Sequence, residues 1–269
     1  MGMAYNVIII GEKINGTSKR VREAVIARDT QFIADLATRQ AEAGAHYLDV
    51  NAGTAPDRDA EDMAWLVQTV QNAVDQPLCI DSPSPEALQA GLEVHRGQAL
   101  VNSASAEASR MQTVISLARN HGARLVGLTL DDSGLPATAQ QRLDIAKRLA
   151  EAVIAAGMTL GDLFIDPLAR AVGIENEQGA AFLEAVAGIR EALPGVHIIC
   201  GLSNVSFQMP ARGLLNRTFL AMAMANGLDA AILDPLDRGL MAVVCAAEAL
   251  LGKDEMCLGY LQAYRGGRL

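Results

Sequence analysis

The sequence predicts a single-domain (β/α)8 TIM barrel that covers residues 1–269. Short β-branched apolar runs alternate with amphipathic segments from end to end, and eight such runs can be counted. The length also suits one barrel, since no linker or shift in composition divides the chain. An open doubly wound sheet stays possible, but no G-x-G-x-x-G motif follows any of the runs.

The predicted strands are the apolar runs themselves. They are NVIII at 6–10, HYLDV at 46–50, PLCI at 77–80, QALV at 98–101, RLVGLTL at 124–130, LFI at 163–165, VHIIC at 196–200 and LDAAIL at 228–233. Because a short apolar run cannot by itself be distinguished from part of a buried helix, the segments between the runs must carry helix signals.

Those signals are present between the runs. Asp29 has the side chain and position of a helix N-cap, and Gly44 stands where a left-handed residue would end the same helix. Thr138 opens a second helix with capping-box spacing, and Gly157 ends it. A final helix is predicted at 236–251, after the eighth strand.

Composition excludes several classes of function. A net charge of −9 and a pI near 4.9 do not suit a protein that neutralises nucleic-acid phosphates. The sequence shows no signal peptide with a basic segment followed by an apolar one, and no run of about 20 apolar residues that could span a membrane. We therefore expect a cytoplasmic protein. The four cysteines are far apart and lack metal-ligand or redox spacing.

Polar side chains end nearly every predicted strand. In a parallel barrel these ends meet at one mouth. The residues are Glu12, Asn15, Asp49, Asn51, Asp81, Asn102, Asp131, Asp132, Asp166, Asn204 and Asp234. Any one of them could simply cap a helix or form an Asx turn.

Together, these carboxylates and amides favour a ligand rich in hydrogen-bond donors, such as the amino-pyrimidine edge of a pterin. The ends of strands seven and eight lack a glycine-rich phosphate nest beside a basic residue, no residues have catalytic metal spacing, and Ser203 has no nearby histidine.

Several motifs together resemble the methyltetrahydrofolate:corrinoid protein methyltransferases of the pterin-binding barrel superfamily. The motifs are IIGEKING, LCIDS, LVNSASAE, GLTLDDSGLP, LFIDPL, GLSNVSF and LLNRTFLAMAMANGLDAAILDP, and they cover nearly the whole chain. GLSNVS followed by NRTFLAMAMA is the most specific of them.

The resemblance implies transfer of a methyl group between N5 of tetrahydrofolate and the cobalt of a corrinoid. It implies that Asp81, Asn102 and Asp166 anchor the pterin and that Asn204, beside Gly201 and Ser203, polarises N5. Because an amide is not a general acid at neutral pH, the proton should arrive through water or a hydrogen-bond network. Glu12, Asn15 and Gln208 are further candidate contacts.

The resemblance does not determine which contacts two positions, 207 and 212, make with the folate. Phe207 stands where these methyltransferases often have glutamine, with Gln208 beside it. Arg212 matches an arginine of the family. It contacts the folate tail, contacts the partner protein, or is a solvated loop residue.

The resemblance also implies partners. It implies tetrahydrofolate or 5-methyltetrahydrofolate as the bound substrate. No D-x-H-x-x-G corrinoid signature is present, so cobalamin must come on a separate corrinoid protein. Relatives of this branch imply a homodimer.

Two alternative functions stay open. One is an enzyme like dihydropteroate synthase, whose seventh and eighth strands end in cations that this chain lacks, and the other is a non-catalytic folate- or corrinoid-binding protein.

Overall fold

The computed structural model describes residues 5–269 and confirms the predicted barrel. The eight parallel strands are β1 Ile8–Asn15, β2 Tyr47–Asn51, β3 Leu78–Asp81, β4 Leu100–Ser105, β5 Arg124–Leu128, β6 Leu163–Asp166, β7 His197–Ile198 and β8 Ala230–Leu233. They are ordered β7-β6-β5-β4-β3-β2-β1-β8. The Ile232 N–H donates to the Cys200 carbonyl at 2.9 Å, and this bond joins β8 to the end of β7 and closes the barrel.

Helices surround the barrel between successive strands. They are α1 Lys19–Ala27, α2 Thr30–Glu42, α3 Asp59–Ala73, α4 Pro85–Val94, α5 Ala108–Asn120, α6 Ala139–Ala155, α7 Gln178–Ala192, α8 Arg212–Ala225, α9 Arg238–Leu250 and α10 Leu258–Arg265. The predicted final helix is α9, whereas α1 and α10 were not predicted. Among residues 5–269, no helix combines the length and apolarity needed to cross a membrane.

The predicted helix boundaries are confirmed where the sequence had specific signals. The Asp29 side chain accepts a hydrogen bond from the Phe32 N–H, and Thr138 forms a complete capping box at the start of α6. Gly44 and Gly157 adopt φ of +100° and +83°, the left-handed conformation that ends a helix.

The interior of the barrel is a packed apolar layer, and this layer positions the polar site. It comprises Ile10, Tyr47, Cys79, Leu100, Val126, Phe164, Ile199 and Ala230. Side chains alternate between the two faces of a strand, so the residue two positions further along also points inward. The pairs Cys79 and Asp81, Leu100 and Asn102, and Phe164 and Asp166 therefore place a polar residue directly above the apolar layer.

Strand β1 extends beyond the predicted 6–10 and includes a bulge. Its register with β2 shifts between Gly11 and Ile14. The Gln40 side-chain oxygen accepts the Lys13 N–H at 3.0 Å, and it would lie only 2.6 Å from a Cβ on Gly11. A larger side chain at position 11 would therefore displace Gln40 from its hydrogen bond with Lys13. Residues to Asn15 lie on the strand rather than in a loop.

Candidate functional site

A cavity of about 620 Å³ opens at the C-terminal end of the barrel. This volume is within the range of small-molecule sites, roughly 300–1,000 Å³. Seven of the predicted site residues line it, namely Glu12, Asn15, Asp81, Asn102, Gly201, Ser203 and Asn204. The ends of β1, β3 and β4 and the turn after β7 therefore converge on one cavity, whereas Asp131, after β5, pairs with Arg148 and lines a separate cavity.

Asp81 and Asn102 lie side by side on neighbouring strands. They are register partners between β3 and β4, and the Asn51 side-chain amide donates to Asp81 Oδ2 at 2.9 Å. Burial raises the pKa of Asp81, while the hydrogen bond from Asn51 and the charge of Arg110 oppose the rise. This arrangement presents one carboxylate and one amide to the same part of the cavity.

Asp49 also lines the cavity, although the sequence analysis placed it at a strand end without including it among the pterin contacts. It is 2% exposed, and its Oδ1 has no hydrogen-bond partner within residues 5–269. Burial, followed by the charge of Asp81, raises its pKa well above the ordinary range, while contacts with Cys79, Asn102 and Asn15 act in the opposite direction. Burial therefore favours the neutral form of the Asp49 carboxyl.

Asp166 ends β6 but is not among the residues that line this cavity. It is 8% exposed, and its Oδ1 accepts the Leu168 N–H at 2.7 Å. Burial raises its pKa to about 6, against the lowering effect of hydrogen bonds from the Leu168 and Gly201 backbones and of the Arg142 charge. Asp166 thus lies against Gly201, which does line the cavity.

Asn204 lies in a short 3₁₀ turn, Leu202–Ser206, directly after β7. Its backbone N–H donates to the Gly201 carbonyl at 3.3 Å, but within residues 5–269 its side-chain amide has no hydrogen-bond partner. A Cβ on Gly201 would lie 3.1 Å from Asn204 Nδ2, so the glycine makes room for the amide. The exposed Asn204 side chain therefore borders the cavity without capping the loop.

Arg212 and Gln208 lie outside the main cavity. Arg212 donates from Nε to Ser206 Oγ at 3.0 Å and from one Nη to the Ser203 carbonyl at 2.7 Å, so it fixes the turn that carries Asn204. It lines a neighbouring cavity of about 220 Å³. Gln208 is exposed and has a φ of +60°.

Glu12 faces the axis from β1 and connects the two cavities. Burial raises its pKa, and the charge of Asp234 adds to the rise. Ser203 Oγ approaches Glu12 Oε2 at 3.4 Å, and Lys13 Nζ pairs with Asp234 at 3.0 Å. This side of the site is therefore also acidic, and its lysine is already paired.

The donor set suits an uncharged, nitrogen-rich ligand better than a metal. Within residues 5–269 no three His, Cys, Asp or Glu side chains are grouped so that they could hold a metal ion. Buried carboxyls and a free amide can accept N–H groups from a heterocycle and donate to its ring nitrogens. The unpaired oxygen of Asp49 supports this interpretation, because a buried acceptor without a partner is costly.

Comparison with known sequences identifies relatives over nearly the whole chain. The pterin binding enzyme family profile matches residues 11–234. Methylcorrinoid:tetrahydrofolate methyltransferase of Eubacterium limosum is 41% identical over 265 residues, which cover 98% of each chain. Methionine synthase of Mycobacterium tuberculosis is 35% identical over 240 residues, which make up 84% of this chain but 20% of that one.

Solved structures confirm the fold. A dihydropteroate synthase of Yersinia pestis superposes with a TM-score of 0.70 at 13% identity, covering 94% of this chain and 99% of that one. The dihydropteroate synthase of Thermus thermophilus gives a TM-score of 0.70 at 18% identity, covering 92% and 94%. At these identities the likeness concerns the barrel alone.

Proposed function

The chain belongs to the pterin binding enzyme family, and we propose that it is a methyltransferase acting between N5 of tetrahydrofolate and the cobalt of a corrinoid on a separate protein. The observation that carries the proposal is the free amide of Asn204 above a cavity lined by carboxylates and amides. The relative from Eubacterium limosum, similar over 98% of both chains, is named for this reaction.

In this proposal the pterin lies against the inward ends of β3, β4 and β6. Asp81 accepts N–H groups of the amino-pyrimidine edge, and Asn102 supplies a donor and an acceptor beside it. Asp166 contributes from the adjacent wall and supports Gly201. Carboxylates in a partly desolvated site bind such donors more strongly than water does, which favours ordered binding of the ring.

Asn204 provides the catalytic contact. Tetrahydrofolate leaves poorly from a methyl group unless positive charge on N5 is stabilised. An amide oxygen without another partner can accept a hydrogen bond from N5 once N5 is protonated through water or a hydrogen-bond network, and this contact strengthens as N5 takes up that proton. The methyl group then passes to the cobalt nucleophile, the C–N bond pair stays on N5, and tetrahydrofolate leaves as a neutral amine. The corrinoid supplies the cobalt nucleophile, and the barrel supplies position and polarity.

The deciding experiment follows cobalamin absorbance after cob(I)alamin is mixed with 5-methyltetrahydrofolate and the protein, and then follows the reverse reaction. Enzyme-dependent formation of methylcobalamin, and its demethylation by tetrahydrofolate, are the expected results. Tight folate binding without turnover in either direction, with free cobalamin and with candidate corrinoid proteins, would favour the non-catalytic alternative.

A dihydropteroate synthase activity is less consistent with the site. That reaction expels pyrophosphate, whose charge requires cations near the ends of β7 and β8. These ends carry Ser203 and Asn204 in one case and Asp234 in the other. Lys13 is paired with Asp234, and Arg212 already donates to Ser206 and Ser203.

We further propose that the chain acts as one domain, in the cytoplasm, as a homodimer that leaves the barrel mouth free for the corrinoid protein. An apolar face of α10, with exposed Leu258, Leu261 and Tyr264, supports a contact between copies. Sedimentation equilibrium at micromolar concentration should give twice the chain mass of 28.4 kDa. A monomer would contradict the homodimer.

A further inference from the structure

The cavity has a second part that the pterin site does not explain. It extends past β1 between α1 and α2, where it is lined by Arg20, Val21, Phe32, Leu36 and Arg39. We name these five residues the cationic arm. Phe32, Leu36 and Arg39 are spaced i, i+4 and i+7, so they form one stripe of about 10 Å along α2.

The two arginines of the cationic arm have no acidic partner in the part of the chain that the structure describes. Arg20 stacks over the Phe32 ring at 4.7 Å, and neither Arg20 nor Arg39 has a side-chain hydrogen bond or ion pair within residues 5–269. By contrast, the adjacent Lys19 pairs with Glu23 at 3.8 Å. In a chain of net charge −9, two free arginines along one groove form a local site for an anion.

We infer that the cationic arm binds the p-aminobenzoyl and γ-linked glutamate tail of the folate, and that it favours several glutamates over one. This inference rests on the proposed function. The apolar side chains of Phe32, Leu36 and Val21 suit the benzoyl ring, and guanidinium groups pair with carboxylates. The groove joins the cavity in which the pterin is proposed to bind, so one molecule can occupy both parts.

Arg212 is a poorer tail contact than the cationic arm. Its guanidinium already donates to Ser206 and Ser203. The neighbouring cavity that it lines also contains Glu12, Asp234 and Asp237, which would repel glutamate carboxylates. We therefore assign Arg212 to positioning the turn that carries Asn204.

Calorimetry with three ligands tests the inference: an N5-methyl tetrahydropterin without a tail, 5-methyltetrahydrofolate with one glutamate, and its triglutamate. Arg20→Gln and Arg39→Gln should each weaken triglutamate binding roughly two- to fivefold, and the double variant by roughly tenfold. Tail-free pterin should bind all variants equally. The effect should shrink at about 0.5 M salt, because exposed ion pairs are screened.

Lys19→Gln is the matched control, since it removes a neighbouring charge on α1 that lies outside the cavity. It should leave all three affinities unchanged. Equal triglutamate affinity in the wild type and the double arginine variant, with tail-free pterin still bound, would overturn the inference, as would a loss confined to Arg212→Gln. Failure of every pterin ligand to bind the wild type would instead refute the proposed function.

Discussion

Replacing Asn204 by alanine should slow methyl transfer far more than it weakens folate binding. The Asn204 side-chain amide is exposed and makes no hydrogen bond within residues 5–269, so the fold does not depend on this side chain. We expect the free energy of unfolding to change by less than about 0.5 kcal/mol, as for other surface substitutions.

The expected loss in rate follows from one charge-assisted hydrogen bond. Such a bond contributes about 1.5–3 kcal/mol, which corresponds to roughly ten- to hundredfold in the rate constant. Because the contact strengthens only as N5 gains positive charge, the dissociation constant of 5-methyltetrahydrofolate should rise much less than the rate falls.

Single-turnover stopped-flow kinetics with cob(I)alamin at saturating folate measure the rate constant directly, and calorimetry measures binding. Asn176→Ala is the matched control, because Asn176 is also an exposed asparagine in a loop after a strand but lies outside the cavity. It should react like the wild type. An Asn204→Ala variant with the wild-type rate constant would show that this amide has no part in the chemistry.

Three further predictions concern β6 and the loop that follows it. Asp166→Ala should weaken folate binding by about 1–3 kcal/mol, because pterin N–H groups lose an acceptor; unchanged calorimetric affinity in a folded variant would contradict the assignment. Burial raises the pKa of Asp166 to about 6, so the stability that its proton contributes is complete below about pH 4 and is lost as the pH rises through about 6. Asp166→Asn should remove that pH dependence. Urea unfolding of the wild type and the variant between about pH 4 and pH 8 measures it, and free energies of unfolding that change in parallel with pH would refute the prediction. Arg142 is 0% exposed and donates to the Pro167 carbonyl and to Gln178 Oε1, each at 2.7 Å. Arg142→Leu should therefore lower the free energy of unfolding in urea by about 3 kcal/mol. A decrease below about 1 kcal/mol would show that these acceptors find other partners.

Features set by local chemistry could be predicted from the sequence. Strand positions follow from apolar runs, and the limits of α2 and α6 follow from Asp29 and Thr138, whose side chains accept hydrogen bonds from backbone N–H groups. Helix α1 was not predicted, because the terminal signals recognised before β2 were Asp29 and Gly44, which limit α2, and Ser18 makes no side-chain cap. The bulge in β1 is bonded by Gln40, which lies 27 residues from Lys13 in the sequence, and no local pattern indicates that contact.

The acidic part of the site could be predicted from local sequence pattern, because its residues lie at strand ends. The cationic arm could not. Asp49 shares its strand face with Asn51, so the period of two along β2 could have added it to the site. Arg20 and Arg39 lie on helices, and their approach to the mouth depends on how α1 and α2 pack. Position along a strand therefore identifies the polar residues at the barrel mouth, whereas the residues of the cationic arm can be identified only from the tertiary structure.

The buried acids give a physical reason for the shape of the site. Asp49 and Asp81 are close enough for the charge of one to raise the pKa of the other, and an oxygen of Asp49 lacks a partner within residues 5–269. A fold selected for stability alone would replace such a pair with apolar residues, because unpaired buried polar groups are costly. Aligned donors on a pterin would satisfy these acceptors, so the destabilisation of the empty barrel would be offset on binding. These carboxyls offer glutamate carboxylates no counter-charge, whereas Arg20 and Arg39 do, so a tail site belongs on the arginine-lined part of the cavity.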